Sequence, residues 1–315
     1  MTTPQPGIFA LGTRSHYHLE LEVHPDAPAE AIIEALGRLR EPAVTAGGTN
    51  LVLGFGPALW RRLAPADAPD ELHDFEPIDG LDGHRAPATQ HDIWVWVHGT
   101  GEDIVLDVAR AVGAALAPVA ELRLGQPCFV YKDSRDLTGF IDGTANPRVD
   151  EAAEVALVPD GQPGAGGSFV IAQRWVHDLT AFAELSVDDQ QRVFGRTKPD
   201  SVELEGDAKP VNAHISRVEI HDAAGEERPI FRRSTPYGTV QEVGLYFLGF
   251  SADLSRFTAM LHAMFGVGSG DAGAGAGEDG IRDRLTDFST PVTGSFFFSP
   301  SIDALASILP EVDEA

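Results

Sequence analysis

The sequence predicts an α+β protein made of two copies of one strand–helix unit. Three observations predict it. Segments in which polar and apolar residues alternate are interleaved with segments of helical period. The stretches DIWVWVHGTGEDIVLDVARAV and EVGLYFLGFSADLSRFTAMLH share one punctuation: a strand, a glycine, an acidic turn and a helix. Their offset of about 150 residues recurs in the earlier strand–helix pairs, as an internal duplication requires. Each copy suits a split βαβ arrangement. Coincidence between two α+β stretches is the competing reading.

The elements run in order along the chain. Residues 16–23 alternate as a half-buried strand does, and residues 28–39 carry Ala31, Ile32, Ala35, Leu36 and Leu39 at helical spacing. Residues 49–55 read as a strand, and residues 65–87, rich in Pro, Asp and Gly, as a long loop. Residues 93–97, with Trp94 and Trp96, form a strong strand. A helix over 102–116 rests on Ile104, Val105, Val108, Ala109, Val112 and Leu116, and Pro118 stops it. In the second half, residues 168–175 are strand-like. Residues 186–196 form a helix with Ser186 as N-cap ahead of Asp188 and Asp189. Residues 243–250 form a strand, and residues 254–265 a helix with Leu254, Phe257, Leu261 and Met264 on one stripe. The glycine-rich, acidic stretch 266–280 lacks the lysine and strand context of a phosphate loop and is expected to be a surface loop. The tail, 309–315, is short and acidic.

A chain of 315 residues with 43% apolar content has ample material for a core. Its net charge of -25 repels phosphate backbones and anionic headgroups, so neither nucleic acid nor a membrane surface is an expected partner. A single cysteine, Cys128, rules out an intramolecular disulfide. No secretory signal opens the sequence, and no run reaches the roughly 18 apolar residues of a membrane span. The expected location is the cytoplasm.

Three segments carry candidate chemistry. In GFIDGTANP, residues 139–147, the Asp-Gly pair marks a turn. An ordinary turn accounts for it, but Phe140 and Ile141 would bring Asp142 out of a buried segment, where a carboxylate can move protons. In NAHISRVE, residues 212–219, His214 sits in a β-prone stretch that does not strictly alternate. The chain has 11 histidines and no H-x-x-x-H, C-x-x-C or H-E-x-x-H pattern, so a zinc site is disfavoured. A lone axial histidine suits haem, whose porphyrin supplies the other ligands, yet a structural histidine serves as well. In PIFRRSTPYG, residues 229–238, an arginine turned inward from Arg232 and Arg233 would need an anionic partner.

Together these segments resemble the dye-decolourising peroxidase family, and the compact B-type members best. The family's G-x-x-D-G motif matches Gly139, Phe140, Ile141, Asp142 and Gly143, continuing through Thr144, Asn146 and Pro147. Its proximal histidine segment resembles AHISR, and its distal arginine segment FRRSTPYG. The resemblance extends to PATQHDIWVWVHG, AQRWVHDLTAF, GLYFLGFSADLSRF and DRLTDFSTPVTGSFFFSPS, nearly the whole chain.

The resemblance implies two ferredoxin-like halves, each an antiparallel β-sheet with peripheral helices. Residues 1–150 would carry the G-x-x-D-G segment at their end, and residues 151–315 would hold the haem. It implies haem b, iron protoporphyrin IX, as cofactor, with His214 as the iron ligand and Asp142, Arg232 and Ser234 as the residues that work on hydrogen peroxide. Ser234 stands where many relatives have asparagine. Gly143, Thr144 and His177 are expected at the cofactor, His177 at a propionate, with a buried structural histidine bonded to backbone as its equal alternative. Asp287 is the expected acid behind His214, and Asp283, one helical turn earlier, the alternative. The implied activity reduces peroxide through a ferryl intermediate and oxidises dyes, phenolics or similar one-electron donors. Trp60, Trp94, Trp96, Trp175, Tyr131, Tyr237 and Tyr246 are candidate electron relays. A homo-oligomer is expected. Some B-type relatives enter encapsulin shells through a C-terminal extension; with ILPEVDEA at its end, this chain is not expected to be such cargo. The rival readings are a haem storage, delivery or iron-release protein, which needs no Asp142 and Arg232; a related ferredoxin-like haem enzyme, against which the G-x-x-D-G segment argues; and a non-enzymatic module.

Overall fold

The computed structural model describes residues 2–39, 48–268 and 280–309. Most of the glycine-rich stretch and of the acidic tail lie outside the described residues.

The first half contributes β1 (Ser15–Val23), α1 (Ala29–Gly37), β2 (Asn50–Phe55), α2 (Pro57–Leu63), a small hairpin of β3 (Ile78–Asp79) and β4 (Arg85–Ala86), β5 (Ile93–Gly99), α3 (Glu102–Leu116) and β6 (Ala120–Phe129). The second contributes α4 (Ala152–Ala156), β7 (Ser168–His177), α5 (Leu179–Glu184), α6 (Val187–Phe194), α7 (His214–Val218), β8 (Phe231–Arg232), β9 (Thr235–Gly238), β10 (Val243–Ser251), α8 (Ser255–Phe265), β11 (Ser289–Pro291), β12 (Ser295–Ser299) and α9 (Ile302–Ile308).

Among the described residues one ten-stranded antiparallel sheet runs β6-β1-β5-β2-β12-β7-β10-β8, with β11 on β7 and β9 on β10. Within each half the strands take the order fourth, first, third, second, which is the split βαβ order. The expected α+β ferredoxin-like class therefore holds. The halves join where Phe55 of β2 pairs with Phe298 of β12. The sheet then curls until β6 approaches β9. In consequence Glu20 of β1 meets Tyr246 of β10, although four strands separate them in the sheet order.

Strand alternation sorts the core. From β5, Ile93, Val95 and Val97 face the outer core beneath the helices, while Trp94 and Trp96 face the enclosed side with Tyr246, Phe250 and Phe297. Helix α3 lays Val105, Ala109, Val112 and Leu116 on the outer core and stops two residues before Pro118. Ser186 caps α6 by accepting from Asp189 N at 3.1 Å. Gly195 ends that helix at φ 82°, where a Cβ would strike Ile215 Cγ2.

Two expectations change, and one strand was not foreseen. The loop expected over 65–87 contains the β3–β4 hairpin. The strand β6, whose buried positions do not alternate, gave no periodic signal. The β-prone stretch around His214 is the short helix α7: Ala213 N donates to Pro210 O at 3.0 Å and Ser216 Oγ to the same carbonyl at 3.1 Å, local bonds that a strand could not make.

Candidate active site

A cavity with about 1450 Å3 of atom-free space, its open mouth included, lies in the second half. Its walls come from the 136–145 connection, the end of β7, α7, α8, the 227–234 segment and the outer face of β10. Leu245 and Phe247 of β10 and Met260, Leu261 and Met264 of α8 make much of it apolar.

His214, the first residue of α7, lines this cavity, and its Nδ1 lies 2.7 Å from Asp283 Oδ2. Asp283 is fully buried, and its Oδ1 accepts from Leu285 N at 2.8 Å. An ionised carboxylate only accepts, so the bond puts the proton on Nδ1 and leaves the Nε2 lone pair available. Asp287, the expected acid, does not do this: it is exposed and pairs with Arg282 Nη2 at 2.7 Å. Asp283 caps a single 3-10 turn, Arg284–Asp287. At three residues per turn, positions four apart do not share a face, so only the first acid points inward.

Asp142 N donates to Ser134 O at 3.0 Å, and Asp142 Oδ1 accepts from Gly143 N at 2.7 Å. Gly143 has φ 76°, a conformation that favours glycine. The half-buried Asp142 lines the cavity with Oδ2 free of protein hydrogen bonds among the described residues. Burial pushes its carboxyl above the usual range and the nearby Asp136 adds to that, while Arg232 pulls the other way.

Arg232 lies on β8, where it pairs with Gly249 of β10. The Asn146 amide clamps its backbone from both sides: Arg232 N donates to Oδ1 at 2.9 Å and Nδ2 donates to Arg232 O at 2.8 Å. The Arg232 side chain lines the cavity and makes no hydrogen bond or ion pair among the described residues. Arg233 turns the other way, donating to Ile8 O at 2.6 Å and Ala10 O at 2.7 Å, so it is absent from the cavity. Ser234 also lines the cavity, where its Oγ accepts from Leu248 N at 3.2 Å.

His177 reaches the cavity wall, but both its nitrogens are taken: Nδ1 lies 2.8 Å from Ser289 Oγ and Nε2 3.1 Å from Asp136 Oδ1. It therefore has no free N–H for a propionate, and the expected contact is corrected to a buried tie between β7 and the connection. Paired with His177, Asp136 is held below the usual carboxylate range despite its burial. Thr144 sits at the exposed end of the cavity with Oγ1 2.9 Å from Ser201 Oγ. Sequence reasoning missed Asp136, Asn146 and Ser289 as site residues. Only Asn146 had a signal, as part of the quoted GFIDGTANP motif.

The cavity thus offers one histidine with a directed lone pair, two carboxylates of raised pKa, Asp142 and Glu219, and the unpaired guanidinium of Arg232 among the described residues. Among the described residues no group of three or more His, Cys, Asp and Glu could hold a bare metal ion. A single histidine in an apolar slot suits a metal that brings its own ligands. No described helix is long and apolar enough to cross a membrane.

Comparison with known proteins fits this arrangement. Residues 36–126 match the family Dyp-type peroxidase, N-terminal, and residues 133–304 match Dyp-type peroxidase, C-terminal. A dye-decolorizing peroxidase of Rhodococcus erythropolis is 38% identical over 265 residues, 83% of this chain and 75% of that protein. One from Mycobacterium tuberculosis is 38% identical over 263 residues, 81% of this chain and 74% of that protein. DyPB from Rhodococcus jostii superposes with a TM-score of 0.86 at 35% identity, covering 97% of this chain and 98% of its own. A variant of that protein is known in complex with heme. The encapsulated DyP-type peroxidase from Mycobacterium smegmatis superposes with a TM-score of 0.87 at 33% identity, covering 98% and 99%. Matched in both halves, in order and over most of its length, the chain belongs to the Dyp-type peroxidase family.

Proposed function

We propose that this chain is a haem peroxidase that uses hydrogen peroxide to oxidise dyes, phenolics or similar one-electron donors, with haem b in the cavity around His214. The observation that carries this is the convergence of the His214–Asp283 pair, Asp142 and Arg232 on one largely apolar cavity. His214 would hold the iron through Nε2, and Asp283 would keep that nitrogen unprotonated and the ring fixed. Haem, when bound, would supply the redox chemistry that passes the oxidising equivalents of hydrogen peroxide to the donor.

The residues around it manage protons and charge. Asp142, with Oδ1 tied to Gly143 N, would take the peroxide proton at Oδ2 and return it to the departing oxygen. Its raised pKa suits such a shuttle better than an ordinary aspartate would. Arg232, clamped through its backbone by Asn146, would present a fixed positive charge to the oxygen that becomes negative. Ser234, whose oxygen already accepts a backbone N–H, would offer its O–H to peroxide or water. A storage protein needs the histidine but not this charged pair, which favours the enzyme. The test is the visible spectrum of the haem-reconstituted protein. A Soret band that moves on adding peroxide is expected, and His214→Ala is expected to abolish stable haem retention. An unchanged spectrum in that variant would place the ligand elsewhere.

A further inference from the structure

The turn that presents Asp142 combines a strained backbone with an arginine whose donors are all engaged. Lys132 and Ser134 have φ 48° and 65°, the left-handed region that residues other than glycine rarely adopt. Such conformations persist only where the surroundings over-determine them. The ladder here is short: Tyr131 bridges to Arg135, and Arg135 to Ile141. Asp142 N donates to the carbonyl of the strained Ser134 at 3.0 Å. The Arg135 side chain closes this turn. Its Nε and Nη2 donate to the two carboxylate oxygens of Asp133 at 2.9 and 3.1 Å. Its Nη1 donates to Gly139 O at 2.9 Å and Lys198 O at 2.8 Å, and Nη2 also to Pro199 O at 2.9 Å. A guanidinium has five N–H groups, and every one is used.

We propose that Arg135 is a positioning residue for the distal carboxylate: by tying Gly139 and the 133–135 turn to the backbone of Lys198 and Pro199, it fixes the loop from which Asp142 faces the cavity. The proposal rests on the reading that Asp142 moves the peroxide proton. Arg135 does not line the cavity, so it acts on peroxide only through that loop. It grips both arms of the turn. One arm is Ser134, its chain neighbour, which receives the Asp142 N–H; the other is Gly139, two residues short of Ile141 and three short of Asp142. The site demands arginine. Three carbonyls and a bidentate carboxylate surround a planar fork of five donors, whereas an ammonium has three and no plane in which to hold them.

The other contacts of the loop leave this task open. Asp142 Oδ1 is tied to Gly143 N, the next residue, which moves with it. Asp136 N donates to Phe140 O and Gly139 N to Asp136 O, both at 2.9 Å, so these bonds close the turn on itself. The Asp136–His177 tie holds the chain before Gly139. The Thr144–Ser201 and Asn146–Arg232 ties hold it after Asp142. Between them Phe140 stacks on Phe194 with centroids 4.0 Å apart, a contact that lets rings slide. The Arg135 fork supplies the directed bonds across that interval.

The test mixes the full-length, haem-loaded protein with hydrogen peroxide in stopped flow, follows the Soret band, and places Arg135→Lys in wild-type and Asp142→Ala backgrounds. In the wild-type background the rate should fall about 10- to 100-fold, the scale of misplacing a reacting group by about 1 Å, and its rise with pH should flatten. In the Asp142→Ala background the same substitution should change nothing, because both losses run through one carboxylate. Hydrogen exchange read by mass spectrometry, without peroxide, should quicken over residues 139–143 and stay at wild type around His214. Asp133→Ala removes two of the five bonds at an exposed residue and should give the same changes in smaller measure, so it decides the matter if Arg135→Lys does not fold. Wild-type Soret and circular dichroism spectra before peroxide confirm that each variant is folded and loaded. A wild-type rate and pH profile in Arg135→Lys, a slowing that persists undiminished with Asp142→Ala, or unchanged exchange over 139–143 overturns the proposal while leaving the peroxidase reading intact. A wild-type rate in Asp142→Ala overturns it together with the role of Asp142. A wild-type Soret band that peroxide does not move overturns the peroxidase reading as well.

Discussion

Replacing Asp283 by asparagine changes almost no volume but removes one hydrogen-bond acceptor from a fully buried position. The carboxylate accepts twice, from His214 Nδ1 at 2.7 Å and from Leu285 N at 2.8 Å. An asparagine has one oxygen. If it serves His214, its NH2 faces Leu285 N and a buried donor is left unpaired, at about 1–3 kcal/mol. If it serves Leu285, its NH2 points at Nδ1, which must accept; the ring proton then moves to Nε2, the atom needed for iron. A charge-assisted bond of about 1.5–3 kcal/mol becomes a neutral one of about 1 kcal/mol in the first case, and the ligand is lost in the second. Haem affinity should therefore fall about 10- to 100-fold, the usual scale for losing the partner of a ligating histidine. The ferric/ferrous midpoint should rise, since the anion that favoured ferric iron is gone. Soret titration of the apoprotein and a redox titration measure both. Asp287→Asn is the control: exposed and paired with Arg282, it should leave both values at wild type. Wild-type affinity and midpoint in Asp283→Asn, or a loss confined to Asp287→Asn, would refute the reasoning.

Three further outcomes are expected. Arg232→Ala and Asp142→Ala should each slow the peroxide-driven Soret change by about 100-fold or more in stopped flow, with the double variant short of additive because both act on one step; wild-type rates in both singles would end the proposed division of labour. The rate should rise with pH as Asp142 ionises, with a midpoint above the ordinary aspartate value, and Asp136→Asn should lower that midpoint by removing a like charge, so a midpoint that stays or climbs counts against it. Glu20, pushed up by burial from 4.5 to about 7, binds its proton more tightly folded than unfolded, so it favours folding below about pH 4.5 and that contribution is lost as pH rises through about 7. At about 1.4 kcal/mol per unit this amounts to ~3 kcal/mol, which chemical denaturation should show as a pH dependence present in the wild type and missing from Glu20→Gln.

What the sequence made legible is what is local. Strand β5 announces itself as a short unbroken run of β-branched and aromatic residues, and helix α3 by apolar residues repeating at 3.6. The duplicated punctuation carried the fold class, since equal local patterns fold into equal units. His214, Asp142, Arg232 and Ser234 were singled out through motifs, and all four line one cavity. The choice between Asp283 and Asp287 depended on whether one turn is α or 3-10, and a four-residue segment has no period from which to tell. The ties that hold the site join residues far apart in the chain: Asp136 to His177 across 41 positions and Asn146 to Arg232 across 86. Glu20 and Tyr246 lie 226 positions apart and meet only because the sheet curls. No pattern within one sequence encodes such pairings.

Those long ties explain how a carboxylate from the connection between the halves reaches a cavity built by the second. The 133–147 segment is held by the second half at three points. Arg135 donates to Lys198 O at 2.8 Å and to Pro199 O at 2.9 Å. Asp136 binds His177 of β7, itself anchored by Ser289 of β11. Asn146 exchanges two hydrogen bonds with the backbone of Arg232. Asp142 lies between the second and third anchors, so its backbone is positioned by β7 on one side and β8 on the other. Because the third anchor is Arg232 itself, the carboxylate and the guanidinium share one reference frame. Two charges that must act on the same small molecule gain from this, since misplacement of either by about 1 Å would be costly.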